Sequence, residues 1–264
     1  NLILLNSFPL YYEPTSNYKN LKDRKNLGLP ENANLYICPQ SLFKLHPDFD
    51  EILEKILIED KNANLIFIGG FGKYKFWTDT LKKRWSKKNS KLIKKTIFLN
   101  RLNFIEYLSL CNCADVLLDP IYFGGGNSFL EAMLFGTPTI TMPDEYLKSN
   151  ITAAAYKQMK ISNPPIVKDS QNYIYLACEL ANNKKLNQDL REQSKIAAEK
   201  FGLTVKKHST KGWATTALDS KARAAIDTLR IAPGLFSGLK RRALNKPVKR
   251  YVSLVVDVSS LDCI

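Results

Sequence analysis

The chain has little from which to build a metal centre or a disulfide framework. Its 264 residues contain two histidines and five cysteines, Cys38, Cys111, Cys113, Cys178 and Cys263. That count is odd, and the spacing lacks the paired pattern of disulfide scaffolds or zinc sites. Cys111 and Cys113 sit two apart on an expected helix and point to different faces. The five read as small apolar residues in a reducing, cytoplasmic compartment, and the protein reads as metal-free. Long hydrophobic runs are missing too. The best candidate near the end, residues 251–258, is far too short to span a bilayer and contains Asp257. The nucleophile elbow GxSxG, the Walker loop and the zinc motif HExxH are also absent. The first residue is Asn1 rather than Met, so the sequence reads as a piece of a longer chain whose targeting signals stay open.

The remaining composition is that of a soluble globular protein, 45% hydrophobic and 24% charged. A formal charge of +14 first suggests nucleic acid. Its distribution weakens that idea. Residues 202–264 hold 12 Lys and Arg against 4 Asp, and the first 200 residues carry a net +6 with Lys, Asn and Ile abundant throughout. Lys87, Lys88, Lys91, Lys94 and Lys95 fall at the end of one expected element or before the next and read as solvated surface.

Short apolar runs alternate with amphipathic stretches. Strands are expected at 34–38, 64–68, 96–99, 115–119, 139–142 and 165–167, rich in Ile, Leu and Val as for strands covered on both faces. Helices are expected at 48–60, 76–89, 104–113, 128–135, 146–159, 171–182 and 187–200. The first carries Phe49, Ile52, Leu53, Ile56 and Leu57 along one stripe. This is an α/β pattern: a doubly wound, Rossmann-like parallel sheet of six strands with right-handed crossovers. In strand order 3-2-1-4-5-6, strands one and four are neighbours, and ligands bind at their carboxyl ends. That rule selects two loops, 39–47 and 120–127. The alternation stops near Phe201. The alternation occupies 21–201, between a segment 1–20 and a basic tail, 202–264, with helices expected at 220–230 and 235–244.

Both loops are chemically unusual. The second reads Gly124-Gly125-Gly126-Asn127-Ser128 and runs straight into a helix. Three glycines let the backbone approach a ligand, and the helix start offers N–H donors and a dipole to an anion. Glu131, one turn further on, suits two ribose hydroxyls as well as it suits a capping box with Ser128. Lys44 lies in the first loop, Gln40-Ser-Leu-Phe-Lys44, where its charge can reach a diphosphate and stabilise the leaving group. His46, before Pro47 at a helix entrance, reads as structural rather than as a general base. The first loop has no glycine, which argues against a nicotinamide cofactor.

The stretches Tyr36-Ile-Cys-Pro-Gln-Ser-Leu-Phe-Lys-Leu-His-Pro-Asp-Phe-Asp50 and Ala114-Asp-Val-Leu-Leu-Asp-Pro-Ile-Tyr-Phe-Gly-Gly-Gly-Asn-Ser128, continuing through Glu131 and Gly136-Thr-Pro138, resemble bacterial members of the O-linked N-acetylglucosamine transferase family. The resemblance covers about residues 1 to 200. It implies the C-terminal half of a GT-B glycosyltransferase, often preceded by tetratricopeptide repeats, with residues 1–20 as a crossover segment from the other half and 21–201 as the nucleotide-sugar-binding domain. The implied reaction is inverting, metal-independent transfer of a sugar from a nucleotide donor, UDP-GlcNAc or a UDP-glucose or GDP-fucose relative, to Ser or Thr of a protein. It implies no cofactor. By motif position Lys44 resembles the diphosphate-contacting lysine and Gln40 a neighbouring polar contact. Gly124, Gly125 and Gly126 with Asn127 and Ser128 match the phosphate-binding helix start, and Glu131 the acidic ribose contact. Leu102 falls where backbone groups read the base, and Tyr107 where a ring packs near it. Asn150 departs from the family, which has Arg there. The half with the acceptor site and catalytic base is expected before Asn1, so this piece alone is expected to bind donor weakly and transfer nothing. Two other readings share the same cleft: a GT-B enzyme of lipid-linked or surface glycans, and a sugar-nucleotide or nucleic-acid binding module without catalysis.

Overall fold

The computed structural model of the chain describes residues 20–70, 72–88 and 90–200. The expected tail, its two helices, residues 1–19 of the crossover segment and Cys263 lie outside the described residues.

Five strands, β1 (Asn34–Cys38), β2 (Ala63–Ile68), β3 (Thr96–Leu99), β4 (Val116–Leu118) and β5 (Thr139–Ile140), form one parallel sheet in the order β3-β2-β1-β4-β5. The expected doubly wound order is therefore present with one strand fewer. Residues 165–167 contribute only an isolated parallel bridge, Thr141 to Ile166. Thr141 N–H donates to Pro165 O at 3.1 Å and Val167 N–H to Thr141 O at 3.0 Å. Pro164 precedes this segment and Pro165 opens it, and proline supplies no ladder donor.

Eight helices complete the described architecture: α1 (Pro47–Glu59), α2 (Lys75–Lys88), α3 (Ser90–Lys94), α4 (Phe104–Cys113), α5 (Asn127–Met133), α6 (Leu147–Met159), α7 (Ser170–Asn182) and α8 (Lys184–Lys200). The short α3 was not foreseen, and it takes Lys91 and Lys94 onto a helix. Both remain exposed, while Leu92 between them is buried. The expected stripe of α1 is buried throughout, with Phe49, Leu53 and Ile56 fully enclosed, and the helix packs on α7. Pro47 opens α1 at a position where the missing N–H costs nothing. His46 caps it, its Nδ1 accepting from Asp48 N–H at 3.3 Å. Asn103 and Glu106 form a reciprocal capping box on α4.

The amino end of the sheet is stitched by two arginines. Arg24 donates to Ala33 O, Cys113 O and the Asp115 carboxylate at 2.8–2.9 Å. Arg191 donates to Asn187 Oδ1 at 2.8 Å, to Thr137 Oγ1 at 3.1 Å and to Ala114 O. Next to them Gly136 adopts φ +63°, and a Cβ there would lie 2.0 Å from Arg191 O. Gly28 has a similar φ of +69° with nothing within 4 Å. Gly136→Ala is expected to cost about 2–4 kcal/mol from backbone strain plus collision. Gly28→Ala should cost about 1 kcal/mol from strain alone. Urea unfolding of the two variants checks this, and equal losses would show that Gly136 does not set the approach of α8.

Candidate functional site

β1 and β4 are hydrogen-bonded neighbours, with Tyr36 opposite Val116 and Ile37 opposite Leu117. The chain therefore leaves the sheet side by side at Cys38 and Leu118. In the first loop a 3-10 turn, Leu42–Lys44, is anchored by buried Leu42 and Leu45. Those anchors push Phe43 and Lys44 outward: Phe43 is exposed and Lys44 half-buried. The second loop begins at buried Asp119, holds Tyr122 at φ +67°, and enters α5 through the three glycines.

Lys44 joins the two loops. Its Nζ donates to Gln40 Oε1 at 2.9 Å and to Gly124 O, eighty positions away in sequence, at 2.9 Å. It also lies 4.4 Å from the Phe123 ring centre. Burial lowers the ammonium's pKa, and the Asp119 carboxylate and Cys38 oppose that shift. The two loops thus touch directly through this ammonium.

Asp119 is the post under the glycine loop. Its Oδ1 accepts from Gly125 N–H at 2.6 Å and its Oδ2 from Thr141 Oγ1 at 2.9 Å. A Cβ on Gly124 would come within 2.7 Å of this carboxylate, and one on Gly125 within 2.9 Å of Gln40 Nε2. The first two glycines are therefore required by close approach. Two loop N–H groups are committed within the protein, since Gly124 N–H also donates to Lys148 O at 2.9 Å. Burial raises the Asp119 pKa, against the lowering effects of Thr141, Thr152, Gly125 N–H and Lys44.

Of the two readings left open for Glu131, the capping box with Ser128 is not formed. Gly126 is the N-cap, α5 starts at Asn127, and the Ser128 hydroxyl instead accepts from Gln40 Nε2. That partner lies 88 positions away in sequence. Asn127 is exposed, and Glu131 is half-buried. Across from α5, the buried Tyr107 hydroxyl on α4 faces Cys111 and Glu131; its pKa is raised by burial first and then by these two groups. Leu102 stands half-buried in the loop between β3 and α4. Gln40, Lys44, Gly124, Gly125 and Ser128 are thus brought into contact, while Tyr107 faces Glu131 on an adjoining patch. Asn150 donates to Asp144 O and Tyr146 O at the start of α6. His46 stacks edge-on to Tyr122 at 4.9 Å, in keeping with a structural role.

Three residues here escaped the sequence reading. Asp119, before Pro120, looked like the end of a strand. Phe123 sits between two ammonium groups, Lys44 at 4.4 Å and exposed Lys148 at 5.4 Å from its ring centre. An aromatic beside a glycine loop was the one available signal for Phe123; nothing local marks Lys148. Among the described residues no group of three or more His, Cys, Asp or Glu converges on a possible metal position.

Two pockets of about 510 and 530 Å³ lie elsewhere, at the amino end around Arg24, Asp115 and Asn187. Their guanidinium donors are already engaged with carbonyls and Asp115. In an open parallel sheet, ligands sit at the carboxyl ends beside the strand-order reversal, so the loop pair is the stronger candidate.

Residues 12–211 match the family model described as glycosyl transferase family 41. No curated protein sequence matches the chain significantly. Among solved structures, the fold is similar to a mutant O-GlcNAc transferase of Thermobaculum terrenum, with TM-score 0.59 and 16% identity over 76% of this chain and 36% of that one. It is also similar to Anabaena HepE in complex with UDP and glucose, with TM-score 0.50 and 15% identity over 79% of this chain and 51% of that one. The chain therefore spans about a third of the first of these structures and about half of the second. Among the described residues no helix is long and apolar enough to cross a membrane.

The raised Asp119 pKa has a defined sign. The native state holds this proton more tightly than the unfolded chain does. Its contribution to stability is complete below the ordinary value of 3.8 and is lost as pH rises through the folded value. Asp119→Asn should remove that loss while keeping an acceptor for Gly125 N–H. Melting temperature against pH, from about pH 4 upward, tests this. A variant whose profile runs parallel to the parent's would refute it.

Proposed function

This chain belongs to glycosyl transferase family 41, and we propose that it is the nucleotide-sugar-binding half of an inverting, metal-independent glycosyltransferase that moves N-acetylglucosamine from UDP-GlcNAc to Ser or Thr of proteins. The observation that carries this reading is the Lys44 ammonium, which contacts both loops at the strand-order reversal. A diphosphate entering here meets a cation already bound to the glycine loop by one weak neutral acceptor. Charge-assisted bonds to phosphate are stronger than that to a carbonyl. Exchange of Gly124 O for phosphate oxygen is therefore favourable.

In the transfer, a Ser or Thr oxygen bonds to the anomeric carbon as the bond from that carbon to the β-phosphate breaks. UDP departs with the electron pair and one additional negative charge. Lys44 stabilises that charge, which is larger in the transition state than in the bound donor. Gln40 holds Ser128 at the start of α5, where the first-turn N–H groups face the same phosphates. Glu131 serves the ribose hydroxyls, Tyr107 packs near the base, and the backbone at Leu102 reads its edge. The acceptor and the base that deprotonates it belong to the rest of the enzyme, a protein glycosyltransferase of the cytoplasm.

Lys44→Ala should weaken UDP binding to this chain by about 10- to 100-fold, the worth of a charge-assisted hydrogen bond. Titration calorimetry with UDP measures it, with circular dichroism confirming the fold. Because the Lys44 pKa lies below 10.5, the parent's affinity should fall with rising pH before that value is reached, and the variant should lack this fall. Unchanged UDP affinity in Lys44→Ala would end the donor-site reading. Tight UDP binding by a full-length enzyme that modifies lipid-linked sugars rather than protein would leave the site and overturn the acceptor.

A further inference from the structure

The positive charge of the described domain is concentrated in one segment. Residues 72–95 contain nine Lys and one Arg against one Asp, a net +9, while the rest of the first 200 residues nets −3. This segment comprises α2, α3 and the turn before them. On α2, Thr78, Leu81 and Trp85 are buried and fix the inward side. A helix advances 100° per residue. The outermost line is therefore Phe76, Thr80, Lys83 and Lys87, all exposed, with Lys75 and Lys82 on its flank. At the start of this line three aromatic side chains stand exposed around Lys75: Tyr74 at 59%, Phe76 at 62% and Trp77 at 40% exposure.

Few of these charges are neutralised. Arg84 is used by Asp50 at 2.7 Å, and Lys75 pairs with Asp79 at 2.9 Å. Lys82 lies over the Phe98 ring at 4.9 Å. Among the described residues no acidic side chain pairs with Lys83, Lys87 or Lys94. Isolated ammonium groups beside exposed rings on a convex helix are poorly suited to a nucleic-acid strand, which takes a groove with stacking platforms and forked arginine contacts. They are well suited to a surface that offers phosphates in a plane and an apolar layer just beneath.

We propose that the outward face of α2, flanked by α3, docks on an anionic lipid bilayer, with Phe76, Trp77 and Tyr74 entering the headgroup boundary and Lys82, Lys83 and Lys87 on lipid phosphates. Because α2 begins just beyond the carboxyl end of β2, and Trp77 packs 6.0 Å from Phe43, the docked edge adjoins the loop that carries Lys44. The proposal stands independently of the donor reading.

The test is co-sedimentation of the full chain with phosphatidylcholine vesicles, with and without phosphatidylglycerol, at low and high salt. Binding is expected only with the anionic lipid and should fall with salt. Lys83→Gln with Lys87→Gln should weaken it about thirtyfold, and charges in 202–264, unchanged in this variant, serve as the internal control. Phe76→Ser should reduce the binding that survives high salt. All three positions are exposed, so the fold is expected to be retained. Equal sedimentation of the double variant, no preference for anionic lipid, or no effect of Phe76→Ser at high salt would overturn the proposal. So would displacement from vesicles by DNA at matched phosphate concentration, which would assign the surface to nucleic acid.

Discussion

The site hangs on two opposite charges that grip one loop. Asp119 is buried beneath the glycines and Lys44 closes over them; each is disfavoured by its own desolvation and supported by the other. Neither group is well placed alone, because an isolated buried charge costs several kcal/mol. Together they fix the path of the loop from both sides: a carboxylate takes the Gly125 N–H from below, and an ammonium takes the Gly124 carbonyl from above. The absence of side chains on Gly124 and Gly125 is what lets them come so close.

The surrounding structure keeps this pair from drifting. Tyr173 on α7 donates its hydroxyl to Asp119 O at 2.9 Å and Ile140 O at 3.2 Å, tying the ends of β4 and β5 together. Tyr156 on α6 accepts from Thr139 N–H at 2.9 Å at the start of β5. At the other end of the sheet Arg24 and Arg191 bind the carbonyls that precede β1 and β4. The amino end is thus held by guanidinium forks, and the carboxyl end presents Lys44, exposed Phe43 and a glycine turn. Such a division suits a fold whose ligands arrive at one end only.

Charge on the molecule is likewise divided. At the loops it is sparse, buried and balanced, so that single groups carry large electrostatic weight. On α2 it is dense, exposed and of one sign, where each group counts for little and the sum acts at a distance. The chain places these two regimes next to each other through the Phe43–Trp77 contact.

Strand positions and their order were legible in the amino-acid sequence because Ile- and Leu-rich runs covered on both faces have few alternatives, and because a parallel sheet of alternating units reverses at one place. From that alone the loops containing Gln40, Lys44 and the triple glycine could be selected. Local spacing was a poor guide wherever a distant group competed for the same atom. Ser128 and Glu131 have the spacing of a capping box, yet Gln40 takes the serine; residues 165–167 have the composition of a strand, yet prolines leave a single bridge. Asp119 under the loop, and Phe123 between Lys44 and Lys148, were invisible because their partners are remote in sequence and near only after folding. The sequence by itself determined which elements form and where the chain reverses, since periodicity and burial act over a few residues. Tertiary structure decided which polar atoms meet, since a buried hydrogen bond is settled by the nearest donor in space and not along the chain.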